Sequence, residues 1–234
     1  MSGPLFATPR RGWIRLYGCD WRKVHWPDPC ALVTDPPYGL GYHSDRPGRF
    51  RRREVHGDRD TRERDEALEA VPWRVAAVFG SWKVPPWRPG MVRAELVWDK
   101  GEGVGMGSLA FPWRPNFELI AVYGKGWAGK RTSSVLRGTV VSWSSERLSS
   151  QGTRPRRLHP TEKPVAVLAE LIAKAPEGLP IVDPFAGSGA TLEAAWLLGR
   201  DVMGAELDPE YARAAAARLE RVTGAPVPIL PAPG

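Results

Sequence analysis

The chain has 234 residues, 42% of them apolar and 25% charged, with 33 Lys and Arg against 26 Asp and Glu for a formal charge of +7. That length suits one domain, or one with a small appendage, and the balance supplies a core and excludes an intrinsically disordered chain. Gly and Pro make up about a fifth of the sequence, so many or long loops are expected, and the positive charge points to a polyanionic partner only if it is gathered in one place.

In chain order, Met1 to Trp13 holds Pro4, Pro9, Arg10 and Arg11 with no apolar h-region, so no signal peptide is read. No apolar run approaches the ~20 residues of a membrane helix, and a cytoplasmic protein is expected. Cys19 and Cys30 stand in no metal-ligand spacing, which argues against a disulfide framework and a structural zinc site. Short, nearly continuous apolar runs predict strands buried on both faces at Ala31 to Thr34, Val75 to Phe79, Ala94 to Trp98, Phe117 to Tyr123, Pro180 to Asp183 and Asp201 to Glu206. Helical spacing appears over Thr61 to Val71, Pro164 to Ala175, Thr191 to Leu198 and Pro209 to Val222, the last capped by Asp208. Gly224 to Gly234 holds four prolines and reads as a loose tail. The pattern is that of an α/β chain with a mostly parallel sheet and helices on both faces.

Two basic stretches interrupt it. Residues 41–64 form a basic loop carrying Arg46, Arg49, Arg51, Arg52 and Arg53, with few large aliphatic residues. From Lys125 to Lys163 nine basic residues, Lys130, Arg131, Arg154, Arg156 and Arg157 among them, face two acids, a local excess equal to that of the whole chain. A solvated basic surface is the ordinary reading of such a run. Interleaved Trp127 and Trp143 favour a nucleic-acid contact, because aromatic rings stack on bases or wedge into a duplex.

Two turns carry chemistry. Asp183-Pro184-Phe185-Ala186-Gly187-Ser188-Gly189-Ala190-Thr191 ends a strand on an acid and opens a helix through glycines that let a ligand approach the backbone. Glu206 closes the next strand, 23 residues on, a spacing at which a carboxylate binds ribose hydroxyls. An adenosyl ligand with a positive group near Asp183 fits this pair. Thr34-Asp35-Pro36-Pro37-Tyr38-Gly39 also ends a strand; the prolines stop ladder pairing, the carbonyls and Asp35 offer acceptors for an amino group, and Tyr38 offers a stacking face.

With these motifs in place, the chain resembles the S-adenosylmethionine-dependent DNA amino-methyltransferases of the β group. In that family the Asp-Pro-Pro-Tyr motif comes first and the Asp-Pro-Phe-x-Gly-Ser-Gly motif last; here they stand at 35–38 and 183–189. His159-Pro160-Thr161-Glu162-Lys163-Pro164 matches the family's His-x-Thr-x-Lys-Pro segment, and Trp98-Asp99-Lys100 and Asn116-Phe117-Glu118 match looser middle motifs. The resemblance implies a Rossmann-like methyltransferase fold with circularly permuted motif order, residues 1–222 as one catalytic domain, a small target-recognition region at 125–158, and a Pro-rich tail at 223–234.

It implies that Asp183, Pro184, Phe185, Ala186, Gly187, Ser188, Gly189 and Thr191 surround the methionine part of S-adenosylmethionine, that Glu206 holds the ribose, that Thr161 and Lys163 frame the carboxylate end, and that Asp20 stands near the adenine. Asp35 and the Pro36 carbonyl would accept the amine hydrogens of a flipped base, with Pro37 stiffening the turn and Tyr38 stacking on the ring. Double-stranded DNA is the implied substrate, S-adenosylhomocysteine the by-product, no metal is required, and a homodimer or an accompanying restriction enzyme fits the family. Adenine N6 is favoured over cytosine N4 because the motif begins with Asp. An RNA methyltransferase with the same cofactor site and a catalytically silent DNA-binding relative are the alternatives.

Overall fold

The computed structural model describes residues 12–41, 57–101, 112–113, 115–138 and 163–234. Among them nine strands share one sheet: β1 (Ile14–Tyr17), β2 (Cys30–Thr34), β3 (Trp73–Gly80), β4 (Ala94–Asp99), β5 (Phe117–Gly124), β6 (Val135–Arg137), β7 (Ile181–Asp183), β8 (Val202–Ala205) and β9 (Ile229–Leu230). Their spatial order is β6-β4-β5-β3-β2-β7-β8-β1-β9. Every pairing is parallel except those of β5, which runs antiparallel to β3 and β4. Four α-helices accompany the sheet: α1 (Arg62–Ala70), α2 (Val165–Ile172), α3 (Ala190–Leu197) and α4 (Pro209–Thr223). None of the described helices is long and apolar enough to cross a membrane.

Of the apolar strands predicted from the sequence, β2, β7, β8 and the middles of β3 and β5 are buried on both faces because their side chains alternate between two cores; β4 departs from the expectation, with Trp98 its one buried residue, because it is covered on its outer side only by the short β6. Along β2, Ala31 and Val33 join a cluster with Leu168, Ile172, Leu192 and Leu219 from α2, α3 and α4. Cys30 and Leu32 point the other way, to Ala67 and Leu68 of α1 and to Trp21 and Trp87. Cys30 is thus a wall of the core, and burial pushes its thiol up to about 12. Local chemistry fixes the helix ends. Asp208 accepts from the Glu210 and Tyr211 amides ahead of Pro209, and Gly224 closes α4 at a φ of +73°. Small residues let α3 sit close to its neighbours: a Cβ on Gly189 would lie 3.0 Å from that of Ala215. Arg218 of α4 is buried against Glu193 of α3 at 2.7 Å.

Three strands lay outside the expectation, and one of them corrects it. The Pro-rich end is no loose tail throughout: β9 pairs in parallel with β1 (Leu16 with Ile229, Tyr17 with Leu230), and Gly18 N donates to Leu230 O at 2.9 Å. Proline suits this position because an edge strand needs only one row of donors.

The topology decides where the motifs meet. Strands β7 and β8 are inserted between β2 and β1, so β2 and β7 run side by side (Ala31 with Ile181, Leu32 with Val182) and end at the same edge of the sheet. Asp35 and Asp183 follow or close those two ends. Strand β5, being antiparallel, begins where β3 and β4 finish, and its register sets Glu118 opposite Trp98 and Leu119 opposite Gly80. That same reversal takes the end of β5 away from this edge. Lys130 and Arg131 follow it there, where Lys174, just past α2, donates to the Lys130 carbonyl at 2.6 Å. Expected as DNA contacts, these two residues lie at the opposite edge of the sheet from Asp35.

Candidate active site

The two motif turns are joined directly. Thr34, the last residue of β2, donates its hydroxyl to Asp183 Oδ1 at 2.6 Å, and Phe185 N donates to the same oxygen at 3.1 Å. Asp183 is 2% exposed, and burial pushes its carboxyl up to about 6 in spite of these donors and Thr191. A carboxylate destabilised in this way is suited to a cationic partner. One strand over, Glu206 accepts from Gly187 N at 2.8 Å through Oε2 and from Asp208 N at 2.8 Å through Oε1. Its carboxyl is also raised, chiefly by burial. Each oxygen keeps a lone pair for hydroxyl donors, and the backbone bonds fix its direction. Gly187 and Gly189 take φ values of +52° and +82°, which a side chain would strain, and they bring the turn back from Asp183 to the start of α3. Asp20 lies beyond the end of β1, next to β8, and caps a single 3-10 turn; its Oδ1 accepts from Arg22 N at 2.9 Å. Phe185 packs edge-on against Trp21, with centroids 6.3 Å apart, so the turn leans on the core between these two places.

The Asp35 end is organised by charge. Asp35 Oδ2 accepts from Lys163 Nζ at 2.5 Å, and Oδ1 accepts from Tyr38 Oη at 2.6 Å. Glu118 completes the group: its Oε2 is 3.0 Å from both Lys163 Nζ and Tyr38 Oη, and its Oε1 accepts from Lys100 Nζ at 2.5 Å. Two carboxylates and two ammoniums therefore balance. The Lys163 ammonium also lies 5.2 Å from the ring centroid of Phe79 and 5.7 Å from those of Tyr38 and Trp98, within cation–π range. Burial raises the Asp35 carboxyl, with Lys163 pulling it back and Glu118 adding to the rise. Burial acts on Glu118 the same way, but Lys163 and Lys100 outweigh it and hold that carboxyl below its ordinary value. For Lys163, burial is outweighed by Asp35 and Glu118, and the ammonium stays charged. Tyr38 is raised well above its ordinary value by burial and the two carboxylates, so its hydroxyl remains a donor.

One expectation changes here. Lys163, assigned by resemblance to a cofactor carboxylate, is instead bound to Asp35 and Glu118. The reason is that α2 begins two residues after it and packs on the face of β2 that carries Ala31 and Val33. Tyr38, expected to stack on the base, is half-buried and donates its hydroxyl to Asp35. Glu118 and Lys100 were matched only to loose motifs, although one signal marked Glu118: it is the lone charge in an apolar strand, and a charge there needs a partner. Beyond Tyr38, Asp58 accepts from Gly39 N at 2.7 Å and its carbonyl from Gly41 N at 2.6 Å, which clamps the two sides of the basic loop together at its base. Arg46, Arg49, Arg51, Arg52, Arg53, Arg154, Arg156, Arg157 and Thr161 lie outside the described residues.

The chain is similar to known proteins in part of its sequence and in its fold. Escherichia coli (strain K12) YubD is 51% identical over 67 residues, 28% of this chain and 30% of YubD. The type II methyltransferase M2.DpnII of Streptococcus pneumoniae is 46% identical over 63 residues, 26% of this chain and 24% of its own. These matches span between about a quarter and a third of the relatives' length. Among solved structures, M1.HpyAVI in complex with S-adenosylmethionine aligns with 88% of this chain and 99% of its own, at 20% identity and a TM-score of 0.58. TTHA0409 from Thermus thermophilus, complexed with S-adenosyl-L-methionine, aligns over 93% and 100% at 21% and 0.56. The cytosine-N4-specific PvuII DNA methyltransferase aligns over 93% and 92% at 16% and 0.60. The shared architecture is the α/β methyltransferase fold. A model of the DNA methylase family matches residues 91–217, more than half of the sequence, from the strands that carry Glu118 through the turn at Asp183 to α4, and on that match the chain belongs to the DNA methylase family.

Proposed function

We propose that the protein transfers a methyl group from S-adenosylmethionine to the exocyclic amino group of a base flipped out of duplex DNA, adenine N6 in preference to cytosine N4. The observation that carries this reading is the Thr34 to Asp183 hydrogen bond, which makes the acid-ended cofactor turn and the Asp-Pro-Pro-Tyr turn two walls of one site. The residues present fit the cofactor. Asp183 is a buried carboxylate lacking a described cation beside it, matched to a positive ligand, and Glu206 is an oriented double acceptor matched to ribose hydroxyls. M1.HpyAVI and TTHA0409, which share the fold, were each solved with this cofactor. When bound, it supplies a methyl group already activated on a sulfonium.

The chain's own work is on the acceptor. An exocyclic amine is a poor nucleophile because its lone pair is delocalised into the ring. Asp35 and the Pro36 carbonyl accept its two hydrogens, which favours a tetrahedral nitrogen, and the Asp35 carboxylate then takes the proton the amine gives up. Holding nitrogen and methyl in line supplies much of the remaining acceleration. Residues 1–222 act as one catalytic domain, with the motifs in the permuted order of the β group. The arginines of loop 41–64, whose base the Asp58 clamp fixes just after Tyr38, and Arg154, Arg156 and Arg157 face the DNA backbone in this reading; Lys130 and Arg131 do not. The initial Asp of the motif supports adenine.

The test is transfer of labelled methyl from S-adenosylmethionine to duplex DNA and, separately, to total RNA. The expected result is labelled DNA, unlabelled RNA, and a loss of at least about a hundred-fold in Asp35→Ala with cofactor binding retained. Labelled RNA alone, or an Asp35→Ala protein of normal rate, would refute the proposal.

A further inference from the structure

Glu118 touches neither the amine site nor the cofactor turn, yet it lies against both groups that hold Asp35. Its Oε2 lies 3.0 Å from Lys163 Nζ and 3.0 Å from Tyr38 Oη, the donors that occupy the two oxygens of Asp35. The Tyr38 hydroxyl has one hydrogen and faces two carboxylates. The shorter contact, 2.6 Å, assigns that hydrogen to Asp35, so Lys163, with three hydrogens, is the group that satisfies Glu118 Oε2. Lys100 neutralises the outer oxygen at 2.5 Å. The side chain of Glu118 is 14% exposed and that of Lys163 5%, so the pair is shielded from solvent and its loss is felt.

Resting on the methyl-transfer reading above, we propose that Glu118 is a positioning residue of the reaction: it anchors Lys163, through it fixes the orientation of the Asp35 carboxylate, and with Lys100 sets the charge around it. The groups that face Asp35 among the described residues are Lys163 from just before α2, Tyr38 from its own turn, Glu118 from β5 with Lys100 behind it, and Asp183 from β7. The two that matter most act with opposite sign. The ammonium of Lys163 favours ionised Asp35, whereas the charge of Glu118 opposes it.

This opposition separates a positioning role from a merely structural one. Methyl transfer to DNA, followed against pH, is compared for the wild type, Glu118→Gln, Glu118→Asp and Lys163→Met. Glu118→Gln should lower kcat by about ten- to a hundred-fold, through loss of alignment, with KM for S-adenosylmethionine unchanged. Its acid limb should move to lower pH, because Asp35 loses a neighbouring negative charge. Lys163→Met should move the same limb to higher pH. Glu118→Asp keeps the charge on a shorter arm; it should lose kcat and leave the limb near its wild-type position. An active wild type whose Glu118→Gln form keeps kcat and pH profile overturns the inference alone. So does a Glu118→Gln form that loses activity with an unmoved limb and a lowered Tm. A wild type that methylates no DNA overturns the underlying reading, and the inference with it.

Discussion

Replacing Asp183 with Asn should stabilise the free protein while it damages cofactor binding. Asp183 Oδ1 accepts from both Thr34 Oγ1 and Phe185 N, and the amide oxygen of Asn can take the same two bonds. What disappears is the cost of ionising a buried group. The carboxyl stands at about 6 in the folded protein against an ordinary 3.8, and at about 1.4 kcal/mol for each pH unit the charged form costs roughly 3 kcal/mol. Because the folded value is the higher one, this stability is fully present below about pH 4 and is lost as pH rises through about 6. Asn does not titrate. The variant's advantage should therefore reach roughly 3 kcal/mol near pH 8, a rise in Tm of about 6–12 °C for a chain of this size, with about two thirds of it appearing between pH 4.5 and pH 8. Calorimetry of the cofactor-free protein at those two pH values measures it. Cofactor affinity should fall by about ten- to a hundred-fold, the worth of one charge-assisted contact. A variant no more stable than the wild type at pH 8, or equally stabilised at both pH values, would refute the argument that Asp183 is held charged at a cost in readiness for a cation.

Three further outcomes follow from the same geometry. Wild-type affinity for S-adenosylmethionine should weaken about tenfold per pH unit below about pH 6, as Asp183 takes up its proton, and calorimetric titration across pH 5–8 should show it. Glu193→Ala removes the carboxylate that Arg218, 1% exposed, holds at 2.7 Å, and should cost about 1.5–3 kcal/mol in urea unfolding; a loss below about 0.5 kcal/mol would mean the pair is not an anchor between α3 and α4. Gly39→Ala forces a Cβ to within 2.6 Å of the Asp60 backbone at a φ of +74°, and should cost at least about 1 kcal/mol while lowering DNA affinity through the Asp58 clamp, both measurable on the purified protein.

Much of the fold was legible because its signals are local. The apolar runs of β2, β3, β4, β5, β7 and β8 and the helical spacing of α1 to α4 can be read within a window of a dozen residues. The strands that were missed have no such window. Strand β1 alternates around Arg15, β6 is three residues long, and β9 is two residues among prolines, so each exists by pairing with a neighbour that the sequence does not announce. The site divides along the same line. Asp183 and Glu206 were visible as acids at the ends of apolar runs, and the structure puts them there, on neighbouring strands. The cluster at Asp35 was only half visible, since Lys163 is 128 residues away in sequence and reaches it through the packing of α2. Glu118 reaches it through the reversal of β5, and a strand's direction cannot be read from its composition.

Methylation of an amino group of a DNA base by this site is tested most directly by expressing the protein in a host without DNA methylation and sequencing that DNA with detection of modified bases. N6-methyladenine at a defined sequence context, absent when Asp35 is replaced by Ala, is the expected result. DNA without modified bases from cells that contain folded, cofactor-binding protein would contradict it.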